Sequence, residues 1–100
     1  MAANSLRGEA ELLVGDSTIL LRPTFARLVA AEAELGRLFG LVERAAAGEA
    51  RLSEIAGLMW HCAEPNGQER ARFEEALFQG GVLPVLAVYR RLLAQFVNGT

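Results

Sequence analysis

The sequence contains no lysine, and it contains one cysteine, one histidine and one aspartate among its 100 residues. Without lysine the chain has no residue for a Schiff base or a lysine-based phosphate cradle. The single cysteine, Cys62, excludes an internal disulfide framework, which fits a reducing compartment. No apolar run approaches the roughly 18 residues of a membrane-spanning helix. Residues 1–5 lack the basic and then apolar pattern of a signal peptide.

Composition places the chain among folded proteins. Apolar residues make up 52% and charged residues 22%, which is too apolar for a disordered chain. A length of 100 residues predicts a single domain over 1–100 that buries enough surface to fold without disulfides or bound metal ions. The net charge of −2 gives no electrostatic reason to expect nucleic acid or an anionic membrane as a partner.

Alternating apolar and polar residues predict a β-hairpin at about 7–22. Its two strands flank Gly15-Asp16, and a glycine at the first central position of a two-residue loop suits a type II′ turn. The predicted pairs are Ala10 with Leu21, Leu12 with Ile19, and Glu9 with Arg22. The face predicted to pack on helices consists of Ala10, Leu12, Val14, Ile19 and Leu21. An isolated hairpin is marginally stable, so it must lie on other elements.

Helical periodicity fills the rest of the chain, from about 24 to 97. Thr24 suits the N-cap of the first helix, and Gly36 suits its carboxyl end. The five predicted helices run over about 24–35, 37–47, 53 to the turn at 65–67, 68–79 and 83–97. The predicted apolar face of the first helix consists of Phe25, Leu28, Val29 and Leu35. The fold class is therefore α+β and mostly α, with a hairpin followed by about five short helices in one compact domain.

Residues that perform chemistry are scarce. His61 and Cys62 are adjacent, and neighbours on a helix point roughly 100° apart, so they do not form a nucleophile–base pair. Cys62 shares an apolar stripe with Ile55 and Leu58 and is predicted to be a buried structural thiol. His61 and Glu64 supply at most two metal ligands where a site needs three or four. We therefore predict no catalytic residue, no metal, no cofactor, no small-molecule substrate and no enzymatic activity.

Glu32 interrupts the predicted apolar face of the first helix, where an unpaired carboxylate would be costly to bury. Arg22, Arg37 or the amino-terminal amides of another helix could satisfy it. The interpretation favoured here is a structural carboxylate that joins two elements. The alternative is an anchor that faces a partner.

Apolar residues on the third, fourth and fifth helices extend beyond a single face. Trp60 either packs on a second neighbour, such as the hairpin, or serves as an exposed anchor, and Phe78 is similar. The last helix carries apolar residues over roughly half of its circumference, so it either lies between two layers or meets another chain. The candidate partner-binding residues are Trp60, Phe78, Leu86, Tyr89, Leu93 and Phe96.

Several short motifs occur in an order that resembles a known family. They are Arg7-Gly8-Glu9 before a strand, Leu21-Arg22-Pro23-Thr24-Phe25, Glu32, Leu35-Gly36, Leu58-Met59-Trp60-His61-Cys62 and Gly80-Gly81. In order and spacing the chain, from about residue 6 to 99, resembles the gene transfer agent family of phage-like tail proteins. This family is grouped with tail assembly chaperones and tail tube-associated proteins.

The resemblance implies a small helical protein without catalysis or cofactor. As a tail assembly chaperone it would bind the tape measure protein, the tail tube protein or both, and self-association is a further expectation. It would act in the bacterial cytoplasm during assembly or remain in a phage-like particle as a structural component. A different class, a small helical regulatory, adaptor or DNA-binding domain, would need a clustered basic face, whereas the arginines are scattered.

Overall fold

The computed structural model describes residues 9–64 and 67–99, and it confirms the predicted order of a hairpin followed by five helices. The strands are β1 (Ala10–Val14) and β2 (Ser17–Leu21). The helices are α1 (Phe25–Leu35), α2 (Leu38–Ala46), α3 (Leu52–Cys62), α4 (Arg70–Leu77) and α5 (Val82–Asn98). The first two residues of the predicted hairpin, 7 and 8, lie outside the described residues. So do Pro65 and Asn66 of the predicted turn after α3.

The hairpin has the predicted register, with Ala10 opposite Leu21 and Leu12 opposite Ile19. Gly15 has φ +60° and Asp16 a negative φ, which is the combination that a type II′ turn requires. Beyond the strands, Arg22 Nε lies 3.0 Å from Glu9 Oε2, so the predicted pairing extends past the ladder. All of the predicted inner face is buried except Val14, which is half-buried.

The outer edge of β2 is covered by the segment that follows α3. The amide of Arg22 donates to the Cys62 carbonyl at 2.8 Å, and the amide of Glu64 donates to the Leu20 carbonyl at 2.9 Å. Leu21 and Ala63 form an isolated antiparallel bridge between these bonds. Covering an edge strand in this way satisfies backbone groups that would otherwise be available to another chain.

Helix α1 begins and ends as predicted, but its buried face is different. Thr24 Oγ1 accepts from the Arg27 amide at 3.3 Å, and Gly36 ends the helix with φ +87°. Phe25 is 83% exposed and Val29 48% exposed, so the expectation that they face the core was wrong. The residue that reaches the core is the small Ala31, flanked by half-buried Leu28 and Leu35. Small side chains allow α1 to lie close to α3, and the bulky residues remain outside.

Helix α3 lies at the centre of the core and packs against α1, α4 and α5. Its predicted stripe of Ile55, Leu58, Met59 and Cys62 is fully buried. Helix α5 packs against β1, α3 and α2, which agrees with the interpretation that it lies among several layers. The largest fully buried side chains are Tyr89, Phe73, Leu21, Leu41, Leu58, Met59 and Leu92.

Among the described residues, no single helix is both long and apolar enough to cross a membrane. Helices α4 and α5 reach that length and composition only when taken together, and they are bent by 110° at the break between them.

Candidate functional site

An apolar groove runs along α5, bordered by α2 at one end and by the α2–α3 loop and the start of α3 at the other. It consists of two adjoining concavities, one of about 280 Å³ and one of about 140 Å³, which share Ala45 and Arg90. We call this surface the α2–α5 groove. Its lining residues are Val42, Ala45, Ala46, Gly48, Ala50, Leu52, Ile55, Val82, Leu86, Arg90, Leu93, Ala94, Val97 and Asn98.

The local sequence explains why this surface is open. Helix α2 faces α5 with the small residues Ala45 and Ala46, which leave space that larger side chains would fill. The rim carries Leu52, Val82 and Val97, which are 62%, 40% and 48% exposed. Exposed apolar side chains gathered around a concave surface are typical of a binding site for another protein.

An aromatic pair links the same two helices. The rings of Phe39 on α2 and Phe96 on α5 lie 5.1 Å apart at an interplanar angle of 60°. Phe39 is 62% exposed, although its ring contacts Phe96. The sequence did not predict Phe39 as a surface residue, because nothing local indicates which side of α2 faces α5.

The predicted partner-binding residues of α5 fall into three environments. Tyr89 is completely buried, so it belongs to the core and presents no surface to a partner. Leu93 is 4% exposed and forms part of the floor of the α2–α5 groove. Leu86 is half-buried in the groove lining, and Phe96 is half-buried against Phe39.

Trp60 and Phe78 lie away from this groove, and both are half-buried against the core. The Trp60 ring packs edge-on against Phe73 of α4 at 5.4 Å, and the Arg70 guanidinium lies 6.0 Å from its centre. The second neighbour that the sequence left open is therefore α4. Trp60 also lines a separate concavity of about 300 Å³, together with Arg27, His61, Glu64 and Phe73.

His61 belongs to an ionic cluster that joins three helices. Its Nε2 lies 2.8 Å from Glu34 Oε1, and Arg70 contacts the same carboxylate at 2.7 and 2.5 Å. Hydrogen bonds from Arg70 and then from His61 lower the pKa of Glu34 to about 2. Arg70 also contacts Glu74 of its own helix at 2.9 Å. The bonds of Arg70 and His61 to Glu34 join α4 and α3 to α1.

The potential metal pair of His61 and Glu64 is not formed. Glu64 Oε1 instead accepts from Arg22 at 3.1 Å and from Arg27 at 3.3 Å, and these bonds lower its pKa. Within residues 9–64 and 67–99, no group of three or more His, Cys, Asp or Glu side chains is arranged to hold a metal ion.

Glu32 is exposed, but it contacts a second helix. Its Oε2 accepts a hydrogen bond from the backbone amide of Leu38 at 3.1 Å. Leu38 is the first residue of α2, so the partner is a helix amino terminus, one of the alternatives considered from the sequence. The carboxylate joins α1 to α2 at the surface and not inside the core.

An ion pair between half-buried Arg44 and buried Glu54 lies beside α5 and joins α2 to α3. Arg44 Nη2 contacts Glu54 Oε2 at 2.5 Å, and Glu54 Oε1 also accepts from the Arg51 amide at 3.2 Å. Burial by itself would raise the pKa of Glu54, but these hydrogen bonds outweigh burial and lower it. Tyr89 is coupled electrostatically to this pair, and its hydroxyl has no hydrogen-bond partner among the described residues.

These features define a small helix-rich α+β protein whose surface carries an apolar groove. Residues 7–99 match the family described as phage tail tube protein, GTA-gp10, and the chain belongs to that family. It is therefore a protein of phage-like tails, in a structural family that works through protein–protein contacts during tail assembly. The resemblance to gene transfer agent tail proteins is thus confirmed at the level of the family. Curated proteins and solved structures provide no significant match.

Proposed function

We propose that this protein is a non-enzymatic assembly factor of a phage-like tail, which holds an apolar helix of the tape measure protein or tail tube protein. The observation that carries the proposal is the α2–α5 groove. It is concave, predominantly apolar and bordered by exposed Leu52, Val82 and Val97. A helical client with an apolar face needs such a surface to remain soluble before it is incorporated.

The dimensions of the groove support this role. From Val82 to Val97, which both line the groove, α5 advances 15 residues, or about 22 Å at 1.5 Å per residue. A client helix of about four turns covers that length and places apolar residues at spacings of three and four. In the cytoplasm the protein would bind this client during assembly and release it as the tail forms.

A structural component retained in the particle is the second candidate, and the description of the family as a tail tube protein favours it. The two roles differ in where the protein ends up. A retained component is present in purified particles in a fixed ratio to the other tail proteins. An assembly factor is abundant in assembling cells and absent from those particles.

The test is co-expression with the tape measure protein encoded nearby, followed by co-purification and measurement of mass by light scattering. The decisive variant is Ala94→Arg, which places a long charged side chain in the groove. Ala30→Arg is the matched control, because Ala30 is also an exposed mid-helix alanine but lies on α1 and does not line the groove. Surface substitutions of this kind change stability by only about 0.5 kcal/mol.

We expect the wild type and Ala30→Arg to keep the client soluble and to co-purify with it, and Ala94→Arg to lose both properties while remaining folded. Failure of the wild type to bind the tape measure protein or the tail tube protein would overturn the assembly role. Equal binding by the two variants would show that the client uses another surface.

A further inference from the structure

One side of α5 carries apolar residues at heptad-like spacing, with an arginine at the central position. Leu83, Leu86, Arg90, Leu93 and Val97 follow one another at steps of three, four, three and four residues, and all of them except the exposed Leu83 line the groove. This is the spacing of a helical seam that packs against another helix. We call these five residues the α5 seam. Its central position is occupied by Arg90 and not by an apolar residue.

Arg90 lies where the two concavities of the α2–α5 groove meet, and it is the one ionisable residue among the described residues that line them. It is exposed and forms no ion pair with any described residue. Arg22, Arg27, Arg44 and Arg70 each contact a carboxylate, whereas the exposed arginines form no ion pair with a described residue. Among these exposed arginines, Arg90 is the one that lines the groove.

A charge placed in an apolar seam selects its partner. Packing an apolar helix over Arg90 would remove the guanidinium from water without compensation, which is costly. A carboxylate on the partner removes this cost and also fixes the register, as a single polar residue at a seam position does in coiled coils.

We propose that the α2–α5 groove recognises an amphipathic helix that carries a carboxylate in the middle of its apolar face, and that this carboxylate pairs with Arg90. The inference rests on the proposed function, because it specifies the chemistry of the helix that the groove holds. Arg90 then determines which segment of a long apolar client binds and in which register.

The same charge argues against a second copy of this chain as the occupant. In a symmetric dimer centred on the groove, the same patch meets itself, so Arg90 would face Arg90 of the other copy. Like charges brought together in a desolvated interface are strongly unfavourable. The partner is therefore a different helix with the opposite charge.

The test uses three synthetic helical peptides of about 20 residues, which is long enough to cover the α5 seam. They carry leucine at seam spacing and differ only at the central seam position, which is Glu, Gln or Arg. Binding is measured by fluorescence anisotropy against the full-length protein, Arg90→Glu and Arg91→Glu. Arg91 is exposed but does not line the groove, so it is the matched charge control. Circular dichroism melts verify that each variant is folded.

We expect the wild type to prefer the Glu peptide over the Arg peptide by about tenfold or more, with the Gln peptide between them. Arg90→Glu should reverse this order, and Arg91→Glu should retain it. The preference should weaken with added salt, since ions screen the attraction between the exposed Arg90 of the free protein and the charge on the approaching peptide.

The proposal is overturned if the wild type binds the three peptides equally or not at all, or if Arg91→Glu reverses the order as Arg90→Glu does. A wild-type dimer that Ala94→Arg converts to a monomer would also overturn it, because a second copy would then occupy the groove. These failures differ from failure of the proposed function. If Ala94→Arg abolishes co-purification but the peptides are not discriminated, the assembly role stands and the role of Arg90 does not.

Discussion

At the scale of single residues, charge holds the helices together where apolar contacts end. Glu34 on α1 receives Arg70 from α4 and His61 from α3, and the carboxylate is 38% exposed. Because these contacts are partly solvated, their contribution is that of a surface network and not of a buried ion pair. Their value lies in connecting α4, which packs chiefly against α3, to α1 as well.

Replacing Glu34 by Gln should therefore reduce stability in a pH-dependent way. The pKa of Glu34 is about 2 in the folded protein against an ordinary 4.5, so the unfolded chain binds the proton first as pH falls. The stabilisation is complete above pH 4.5 and is lost as the pH falls through 2. We expect Glu34→Gln to cost about 0.5–1 kcal/mol at pH 7.

Urea unfolding between pH 7 and pH 3 measures this effect, with Glu75→Gln as a control because Glu75 is exposed and forms no ion pair with a described residue. The difference between wild type and Glu34→Gln should shrink towards pH 3. A loss that is independent of pH would contradict the ionic explanation.

The thiol of Cys62 should react very slowly in the native protein. Its side chain is fully buried, and burial raises the pKa of the thiol to about 12. Since the thiolate is the reactive form, labelling by a disulfide reagent at pH 8 should be roughly a thousandfold slower than for a free cysteine. The rate is followed by absorbance with and without urea, and rapid labelling of the folded protein would show that α3 opens readily.

At the scale of elements, one glycine sets the distance between α1 and α3. A Cβ built on Gly57 would lie 2.8 Å from Leu35 Cδ2, whereas a Cβ on Gly40 would meet its nearest atom, Arg44 Nη1, at 3.4 Å. The first distance forces Leu35 to move, and the second is an ordinary contact. The two helical glycines therefore serve different purposes.

We expect Gly40→Ala to stabilise the protein by about 0.5–1 kcal/mol, because alanine favours a helix over glycine. Gly57→Ala should bring no such gain, and Gly57→Val should cost about 1–3 kcal/mol through overpacking against α1. Chemical denaturation of the three variants tests this. If Gly57→Ala stabilised as much as Gly40→Ala, the α1–α3 contact would be looser than the structure shows.

At the scale of elements, local sequence patterns predicted some features correctly, whereas features that depend on contacts between distant elements were missed. The hairpin register followed from strand alternation and from the Gly15 turn, both of which are local. The prediction of the buried face of α1 was wrong. Phe25 and Val29 were expected to be buried because they are large and apolar, whereas the close approach of α3 leaves room only for the small Ala31.

The sequence indicated the α5 side of the groove, because Leu86 and Leu93 were candidate partner-binding residues. It did not indicate the α2 side, since α2 and α5 are distant in sequence. The position of Arg90 at the centre of the α5 seam became meaningful only when the structure showed that this side of α5 lines the groove.

At the scale of the whole molecule, α5 has one side in the core and another beside an open groove. Val85, Val88, Tyr89 and Leu92 pack inside, while Leu86, Ala94 and Val97 line the groove. This division explains why its apolar residues cover more of the circumference than a single interface requires. It also means that stability and binding are separable along one helix.

Alanine substitutions at neighbouring turns of α5 should separate the two properties. Tyr89→Ala removes a fully buried aromatic ring and should cost about 3–5 kcal/mol, a large share of the 5–15 kcal/mol expected for a domain of this size. Leu86→Ala removes a half-buried side chain and should cost about 1–2 kcal/mol, which leaves the fold intact. Its main effect should be weaker binding of the apolar client.

Urea unfolding and co-purification on the same preparations distinguish these outcomes. Tyr89→Phe is the control for the first variant. It keeps the ring and removes only a hydroxyl that no described residue satisfies, so it should be as stable as the wild type or slightly more stable. If Leu86→Ala unfolded the protein as Tyr89→Ala does, the groove-lining side of α5 would be part of the core. The groove would then not be available to a partner.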